Sequence, residues 1–315
     1  MRSASRSLCL PAVNVKYLLV LMVFLCLLTG VFVGTRIPIS LENCGGLILL
    51  NPILSCAKAK SMAIESRAIE SEIAGLKLSG GVDSMSVYFE DLDNRSAFSI
   101  NAEQQYSPAS LAKILTLIWY YGQSEVDPTL LEQSMQYTGG ALPYEEQFSV
   151  GGITPGHSYT VSELLDSSIM NSDNNAYFFL NSHMGEERVA KTYTDFNFSG
   201  SLLAPRTTVR SYAVLFRMLY DSSYLRPRYS EKALDLLSKT TFTKGLRAGV
   251  PESIRVAHKY GESGSTQKKE LHDCGIVYVP HKPYILCIMT SGQDWNALAS
   301  SIADISGLVY QQVAL

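Results

Sequence analysis

Ser110 and Lys113 form the residue pair whose spacing most clearly suggests chemistry. They lie three residues apart in the stretch YSPASLAKILTLIWYY, which begins at Tyr106 and is apolar nearly all the way round. On a helix this spacing places both side chains on one face, with Cβ atoms about 5–6 Å apart. Burial disfavours the charged form of a lysine, and a neutral amine can take the proton of a serine hydroxyl. The pair is therefore a candidate nucleophile and base.

The local sequence gives this pair a defined setting. Ser107 is suited to be the N-cap of a helix and Pro108 its first residue, which places Ser110 in the first turn, where the helix dipole favours negative charge. The spacing alone is weak evidence, because it recurs at Ser55–Lys58 and Ser265–Lys268. A capping serine beside a lysine that extends its ammonium group to solvent is the alternative interpretation.

Two further polar groups follow along the chain. Ser172, Asp173 and Asn174 lie in IMNSDNNAYFFL, at a predicted junction between two helices, and Lys259 lies in VAHKYGESG, on a predicted strand. Gly261 is predicted to end that strand and to let another backbone approach closely, as a substrate along the strand edge would. Taken singly, these groups are better explained as a polar turn and a surface lysine.

The three groups together carry a resemblance. S-x-x-K, then S-D-N, then K-x-G, in this order, is the signature of the penicillin-recognising serine enzymes. The chain resembles the class A β-lactamase-like family over roughly residues 60–315, and this stretch includes TTVRSYAVLFRML and GLRAGVPESIRVAHKYG. The resemblance implies a serine hydrolase that forms an acyl-enzyme with a β-lactam or with D-alanyl peptide amides of the cell wall. A degenerate member that binds or senses such compounds is the alternative.

The resemblance also implies a role for each residue of the motifs. Ser110 would be the acylated nucleophile and Lys113 its base or proton relay. Ser172 would pass a proton to the departing nitrogen, Asn174 would bind the side-chain amide of the substrate, and Lys259 would attract its carboxylate.

Further positions that the resemblance implies lie on the substrate-binding strand. The backbone N–H groups of Ser110 and Glu262 would form the oxyanion hole, whose donors are each worth roughly 3–4 kcal/mol of barrier. Gly261 belongs to the same substrate-binding stretch.

Two departures from the family pattern stand out. Tyr260 replaces the small hydroxyl residue of K-T-G. Either carboxylate binding changes as a result, or the hydroxyl comes from Ser263 or Thr266.

The loop that carries a deacylating glutamate and an asparagine in class A β-lactamases is reduced to GEERVAKTYTDFNFSGSLLAP. Glu186 and Glu187 lie early in it, in a predicted helix, and no E-x-x-x-N pattern is present. The sequence therefore assigns no deacylating base.

The hydrophobic pattern predicts the elements that position these residues. A helix over 57–77, two strands joined at DNRS in SMSVYFEDLDNRSAFSI, a mostly helical middle, three strands and the helix QDWNALASSIADISGLVYQQ follow in order. Thr160 and Glu163 form a predicted capping box, and Gly185 is predicted to end the following helix. The fold class is α/β in the α+β sense. We expect a five-stranded antiparallel sheet flanked by terminal helices, with an inserted all-helical lobe and a cleft between lobe and sheet.

The N-terminus predicts a membrane anchor. An uncharged, mostly apolar run is long enough to cross a bilayer, and Arg2, Arg6 and Lys16 before it place the N-terminus in the cytoplasm and the catalytic domain outside the cell. A cleaved signal peptide is the alternative. The predicted division of the chain is a tail at 1–16, a single-pass anchor at 17–35, a membrane-proximal linker at 36–56 and a catalytic domain at 57–315.

Composition narrows the function further. The 315 residues carry a net charge of −3 without a basic patch, which argues against nucleic-acid binding. No C-x-x-C or H-x-x-x-H pattern occurs, so neither a metal nor another cofactor is expected. In an exported domain, Cys44 with Cys56 and Cys274 with Cys287 could each form a disulfide or stay as thiols.

Overall fold

The computed structural model describes residues 66–139, 147–265 and 268–315. The predicted tail, anchor and linker lie outside the described residues, as do Cys44, Cys56 and the start of the predicted first helix. Within the described ranges, no helix combines the length and the hydropathy needed to cross a bilayer.

Five strands form one antiparallel sheet, as predicted. The strands are β1 (Ser84–Asp91), β2 (Ala97–Ile100), β7 (Val256–Gly264), β8 (Lys269–Val277) and β9 (Tyr284–Gly292). Their order across the sheet is β2-β1-β9-β8-β7, so the first and last parts of the chain pair in the middle of the sheet. Strand β9 is buried along its whole length, because both faces of the sheet are covered.

Eight α-helices lie in the described ranges, on the two sides of the sheet. They are α1 (Ser66–Leu78), α2 (Lys113–Ser124), α3 (Val161–Met170), α4 (Asn174–Met184), α5 (Glu186–Asp195), α6 (Val209–Tyr220), α7 (Pro227–Leu237) and α8 (Trp295–Ala314). One core joins Ile69 of α1 and Ile302 of α8 to Val87 of β1. The other core joins the inserted helices to the opposite face of the sheet, where Met289 and Ile285 lie. The predicted helical lobe and terminal helices are confirmed.

Two small hairpins complete the fold, and the sequence analysis did not predict either. Strands β3 (Ser134–Gln136) and β4 (Ser158–Thr160) pair beside the start of α3. Strands β5 (Ser199–Ser201) and β6 (Ala204–Arg206) pair after α5.

Several local predictions can be compared with the structure. The capping box of Thr160 and Glu163 is present at the start of α3, and Gly185 ends α4 at a positive φ. Strand β7 continues to Gly264, so the predicted end at Gly261 is wrong.

The structure also decides the state of two cysteines. Cys274 and Cys287 face each other across β8 and β9, with Cα atoms 4.0 Å apart, and their sulfurs are bonded. Both side chains are buried in the core between the sheet and the helical lobe. The disulfide therefore joins β8 to β9. Cys274 is also the register partner of Lys259 on the neighbouring strand β7.

Candidate active site

Ser110 lies on a tight turn in front of β7. The turn is a 3-10 helix, Ala109–Ala112, and Ala109 before the serine has a positive φ of 48°. Such a conformation is uncommon for a residue with a side chain and is held in place by its surroundings. Ser107 is not the predicted helix N-cap, because Pro108 occupies that position without a side-chain cap. The Ser107 hydroxyl instead accepts a hydrogen bond from the Ala109 N–H at 3.3 Å.

Two side chains of β8 hold the beginning of this turn. The Ser107 N–H donates to Oε2 of Glu270 at 3.0 Å, and the Ser107 carbonyl accepts from Nε2 of His272 at 3.0 Å. His272 is fully buried, which lowers the pKa of its imidazole to about 4. The backbone before the nucleophile is therefore fixed to the sheet by one carboxylate and one neutral imidazole.

Lys113 is the first residue of α2 and is almost completely buried. Its Nζ lies 2.5 Å from Oγ of Ser110, 2.7 Å from Oδ1 of Asn174, 2.7 Å from the carbonyl of Ser172 and 3.1 Å from Oγ of Ser172. Its Nζ is also 5.7 Å from the ring centre of Tyr177. The amine therefore contacts the first two motifs at once and lies within proton-transfer distance of the candidate nucleophile.

Ser172 connects the two lysines of the site. The residue is fully buried at a positive φ of 58° between α3 and α4. Its hydroxyl accepts from Nζ of Lys113 at 3.1 Å and from Nζ of Lys259 at 2.9 Å. The structure thus brings the three predicted motifs together in one hydrogen-bonded chain from Ser110 to Lys259.

Asp173 shapes the turn that presents Ser172. Its carboxylate caps α4 by accepting the Asn175 N–H at 2.9 Å, and it also accepts the Ile153 N–H at 2.9 Å and the Ser167 hydroxyl at 2.9 Å. This buried carboxylate acts on the turn and not on a substrate.

Gly261 explains how the nucleophile turn can lie against β7. A Cβ at this position would come within 2.9 Å of both the Leu111 nitrogen and the Pro108 carbonyl oxygen. The backbone that approaches the glycine is therefore the turn around Ser110. Substrate binding by Gly261 stays a prediction.

Tyr260 does not project toward the nucleophile. Side chains alternate along a strand, so that Lys259 reaches Ser172 while the ring of Tyr260 packs in the core that contains the terminal helices. Nζ of Lys259 nevertheless lies 4.2 Å from the centre of the Tyr260 ring. The ring stacks on Phe242, with ring centres 4.2 Å apart. The bulk of Tyr260 therefore does not reduce the space beside Ser110.

A cavity of about 830 Å³ opens beside the nucleophile. Its walls come from the nucleophile turn, the helices α4 and α5, the β5–β6 hairpin and the end of β7. The lining residues are Ser107, Pro108, Ala109, Ser110, Ala112, Lys113, Gln147, Asn174, Tyr177, Phe178, Tyr193, Leu202, Leu203, Pro205, Glu262, Ser263, Gly264 and Trp295. Five predicted site residues thus line this cavity, namely Ser110, Lys113, Asn174, Glu262 and Ser263, whereas Ser172, Lys259 and Gly261 are not among its lining residues.

This geometry agrees with a family comparison. A sequence model of the beta-lactamase enzyme family matches residues 68–313. The chain belongs to the beta-lactamase enzyme family. A search of curated proteins gives no significant match.

Solved structures with the beta-lactamase fold are similar over most of their length. A β-lactamase from Sphaerobacter thermophilus is 19% identical, with a TM-score of 0.69, and the match covers 80% of this chain and 98% of that one. A class A β-lactamase from Mycobacterium abscessus is 21% identical, with a TM-score of 0.66, and the match covers 78% and 99%. A mutant of PBP-A, solved as its acyl-enzyme complex with penicillin G, is 19% identical, with a TM-score of 0.66, and the match covers 81% and 98%.

One carboxylate lies among the described residues that line the cavity. Among the described residues that line it, Glu262 alone carries a carboxylate, and its Oε1 accepts the Phe148 N–H at 3.0 Å. Glu186 and Glu187 are exposed in the first turn of α5 and do not line the cavity. The tip of the β5–β6 hairpin, Leu202 and Leu203, forms that wall instead.

Sequence reasoning missed several residues of the site. Glu270 and His272 alternate on β8 before a disulfide cysteine, and this period of two was the available signal that they share a face. Tyr177 follows Asn174 by three residues on α4, so helical spacing could have placed it beside Lys113.

Within the described residues, no cluster of His, Cys, Asp or Glu could hold a metal ion.

Proposed function

We propose that Ser110 is acylated by β-lactams and that the acyl-enzyme is hydrolysed slowly. The neutral amine of Lys113 takes the proton of the Ser110 hydroxyl while Oγ attacks the lactam carbonyl carbon. The C–N bond of the ring breaks, and the Ser172 hydroxyl gives its proton to the departing nitrogen. The hydroxyl recovers a proton from one of the two lysine amines.

One observation carries this proposal. The buried Nζ of Lys113 lies 2.5 Å from Oγ of Ser110 and 3.1 Å from Oγ of Ser172, and the latter is 2.9 Å from Nζ of Lys259. Base, nucleophile and proton donor are therefore within hydrogen-bond reach before any substrate binds, which general acid–base catalysis requires. The cavity places an open volume directly beside this chain of groups.

Slow deacylation is supported by the walls of the cavity. A water molecule that attacks an acyl-enzyme needs a base, and a missing general base costs about 10²–10⁴-fold in the step it serves. The described lining residues offer only Glu262, whose carboxylate is already held by the Phe148 N–H. Acylation should therefore outpace hydrolysis.

D-alanyl peptide amides are the second candidate substrate. The same proton relay could cleave an acyclic amide, and the polar lining residues Asn174, Ser263 and Gln147 can hydrogen-bond a peptide backbone. For this function the proposed anchor over residues 17–35 would hold the domain outside the cell membrane, beside a cell-wall substrate. Membrane fractionation of the full chain, compared with a chain lacking residues 1–35, tests the anchor.

The substrate is tested with a fluorescent penicillin on the purified full chain. We expect stoichiometric covalent labelling, a mass increase equal to the whole penicillin and turnover slower than labelling. Ser110→Ala should abolish labelling. Ser265→Ala changes the serine of another S-x-x-K sequence, Ser265–Lys268, and should be labelled like the natural chain. A folded protein that takes no label would overturn the proposal, and turnover as fast as labelling would overturn slow deacylation. In a parallel assay, release of D-alanine from an acyl-D-alanyl-D-alanine peptide would favour the second candidate.

A further inference from the structure

Tyr260 is part of an aromatic cluster that packs against the active-site strand β7 and contains three buried rings and the half-buried Trp295. The cluster contains Phe148, Phe242, Tyr260 and Trp295, and we call it the aromatic clamp. Phe242 stacks on Tyr260 with ring centres 4.2 Å apart. Phe148 lies 5.2 Å from Phe242, 6.5 Å from Tyr260 and 6.4 Å from Trp295. Such pairs contribute about 0.5–1.5 kcal/mol each beyond the burial of their area.

The clamp includes one residue, Phe148, of the segment 147–150. Phe148 is buried, whereas its neighbours Gln147 and Val150 are exposed. The Phe148 ring also makes a cation–π contact with Lys244, whose Nζ lies 4.9 Å from the ring centre. Phe148 is thus the one buried side chain of the segment 147–150.

Backbone contacts connect the same segment to two catalytic motifs. The Phe148 N–H donates to Oε1 of Glu262, on β7, at 3.0 Å. On the other side, the Ser149 hydroxyl and the Val150 N–H donate to the carbonyl of Asn171 at 3.2 and 3.4 Å. Asn171 directly precedes Ser172, so the segment bridges the strand and the turn that carry the proton relay.

The segment and the clamp also form one wall of the substrate cavity. Gln147, Trp295 and Glu262 line the cavity. Trp295 is a member of the clamp, Gln147 precedes Phe148 in the chain, and Glu262 accepts the Phe148 N–H. The apolar residues Tyr177, Phe178, Leu202 and Leu203 line the cavity as well and come from the helical lobe and the β5–β6 hairpin.

We propose that Tyr260 and Phe148 are positioning residues that set the width of the substrate cavity and so sort substrates by the size of the acyl group. This inference rests on the proposed acylation of Ser110. The inference assigns a physical role to the tyrosine of K-Y-G, because Phe148 and Phe242 pack on its ring. A small residue at this position would remove that contact and leave Phe148 less tightly packed. A tighter wall favours small acyl groups, since a hydrophobic pocket discriminates about 10–200-fold per methylene-sized difference.

Two variants loosen the clamp and two serve as controls. Tyr260→Thr restores the small hydroxyl residue of the family pattern, and Phe148→Ala removes the inserted ring. Tyr260→Phe keeps the stacked ring and should behave like the natural chain. Phe196→Ala removes a similarly buried ring that packs on Tyr224 and does not line the cavity, so it controls for a general loss of stability.

The first measurement is the acylation rate of the full chain with two penicillins that differ only in a small or a bulky acyl group. We expect the bulky-to-small ratio of rates to rise at least about tenfold in Tyr260→Thr and Phe148→Ala, and to stay unchanged in both controls. Combining the two variants should add little, because they remove the same contact. An unchanged ratio in labelled protein would overturn the inference and leave the proposed function intact.

The second measurement does not depend on acylation. Hydrogen exchange of the Phe148 amide should be slow in the natural chain and at least about tenfold faster in Tyr260→Thr, because the lost ring contacts lower the cost of local opening. Equal exchange in both proteins would refute the clamp even if the enzyme takes no label. If no penicillin reacts but exchange accelerates as expected, the proposed function fails and the clamp stands as a structural device.

Discussion

His272 should make the stability of the domain depend on pH below neutrality. Its Nε2 donates to the Ser107 carbonyl at 3.0 Å, and its Nδ1 accepts the Thr290 N–H at 3.3 Å. Protonation would place a second N–H at Nδ1, facing the Thr290 donor inside a fully buried site. Burial is the main cause that lowers the pKa of this imidazole from 6.5 to about 4.

The sign and the magnitude follow from linkage. Above about pH 6.5 the imidazole is neutral in the folded and in the unfolded chain, so its full contribution is present. As the pH falls toward 4, the His272 imidazole becomes protonated in the unfolded chain but stays neutral in the folded chain. The free energy of unfolding therefore falls by up to about 1.4 kcal/mol per pH unit. Because the group is completely buried, the whole shift applies, and the loss approaches about 3 kcal/mol at pH 4.

Urea unfolding of the natural chain and of His272→Gln, between about pH 7 and 4.5, tests this reasoning. Glutamine can keep both hydrogen bonds but does not titrate, and the carboxylates that also titrate in this range are common to both proteins. We expect the stability of the natural chain relative to the variant to fall by about 2 kcal/mol over this interval. A difference that stays constant would show that the folded imidazole titrates normally and would refute the argument.

Three further predictions concern the frame of the site. Asp173→Ala should lower the free energy of unfolding by about 2–4 kcal/mol in urea denaturation, because the N-cap and two other hydrogen bonds of the turn are lost together. Gly261→Ala should slow penicillin labelling at least about tenfold and destabilise the fold by about 1–3 kcal/mol, since its Cβ would lie 2.9 Å from the Leu111 nitrogen; normal labelling would contradict the close packing. Reduction of Cys274–Cys287, 13 residues apart, should cost about 3 kcal/mol of unfolding free energy by the loop-entropy estimate, which calorimetry with and without dithiothreitol measures.

The sequence could predict the fold and the motif residues that meet around Ser110, because both follow periodic or contiguous patterns. Strand β9 is a continuous apolar run, and Ser110 with Lys113 is a fixed helical spacing, so each was readable locally. The contacts of Glu270 and Phe148 were not readable, since each joins segments more than a hundred residues apart. The β5–β6 hairpin was also missed, because SGSLLAP places a half-buried Leu202 next to an exposed Leu203 where a strand pattern would alternate.

The alternation of side chains along β7 explains why one face of the motif was foreseen and the other was not. Lys259 faces the nucleophile, while Tyr260 and Glu262 face the terminal helix and the segment around Phe148. His258 lies on that second face too, where Nδ1 pairs with Asp273 at 2.8 Å. A family motif on a strand therefore combines residues that meet the substrate with residues that meet the core. A departure at the second kind of position, such as tyrosine in place of a small hydroxyl residue, alters the support of the cavity wall, and here it also places an aromatic ring 4.2 Å from Nζ of Lys259 in the proton relay.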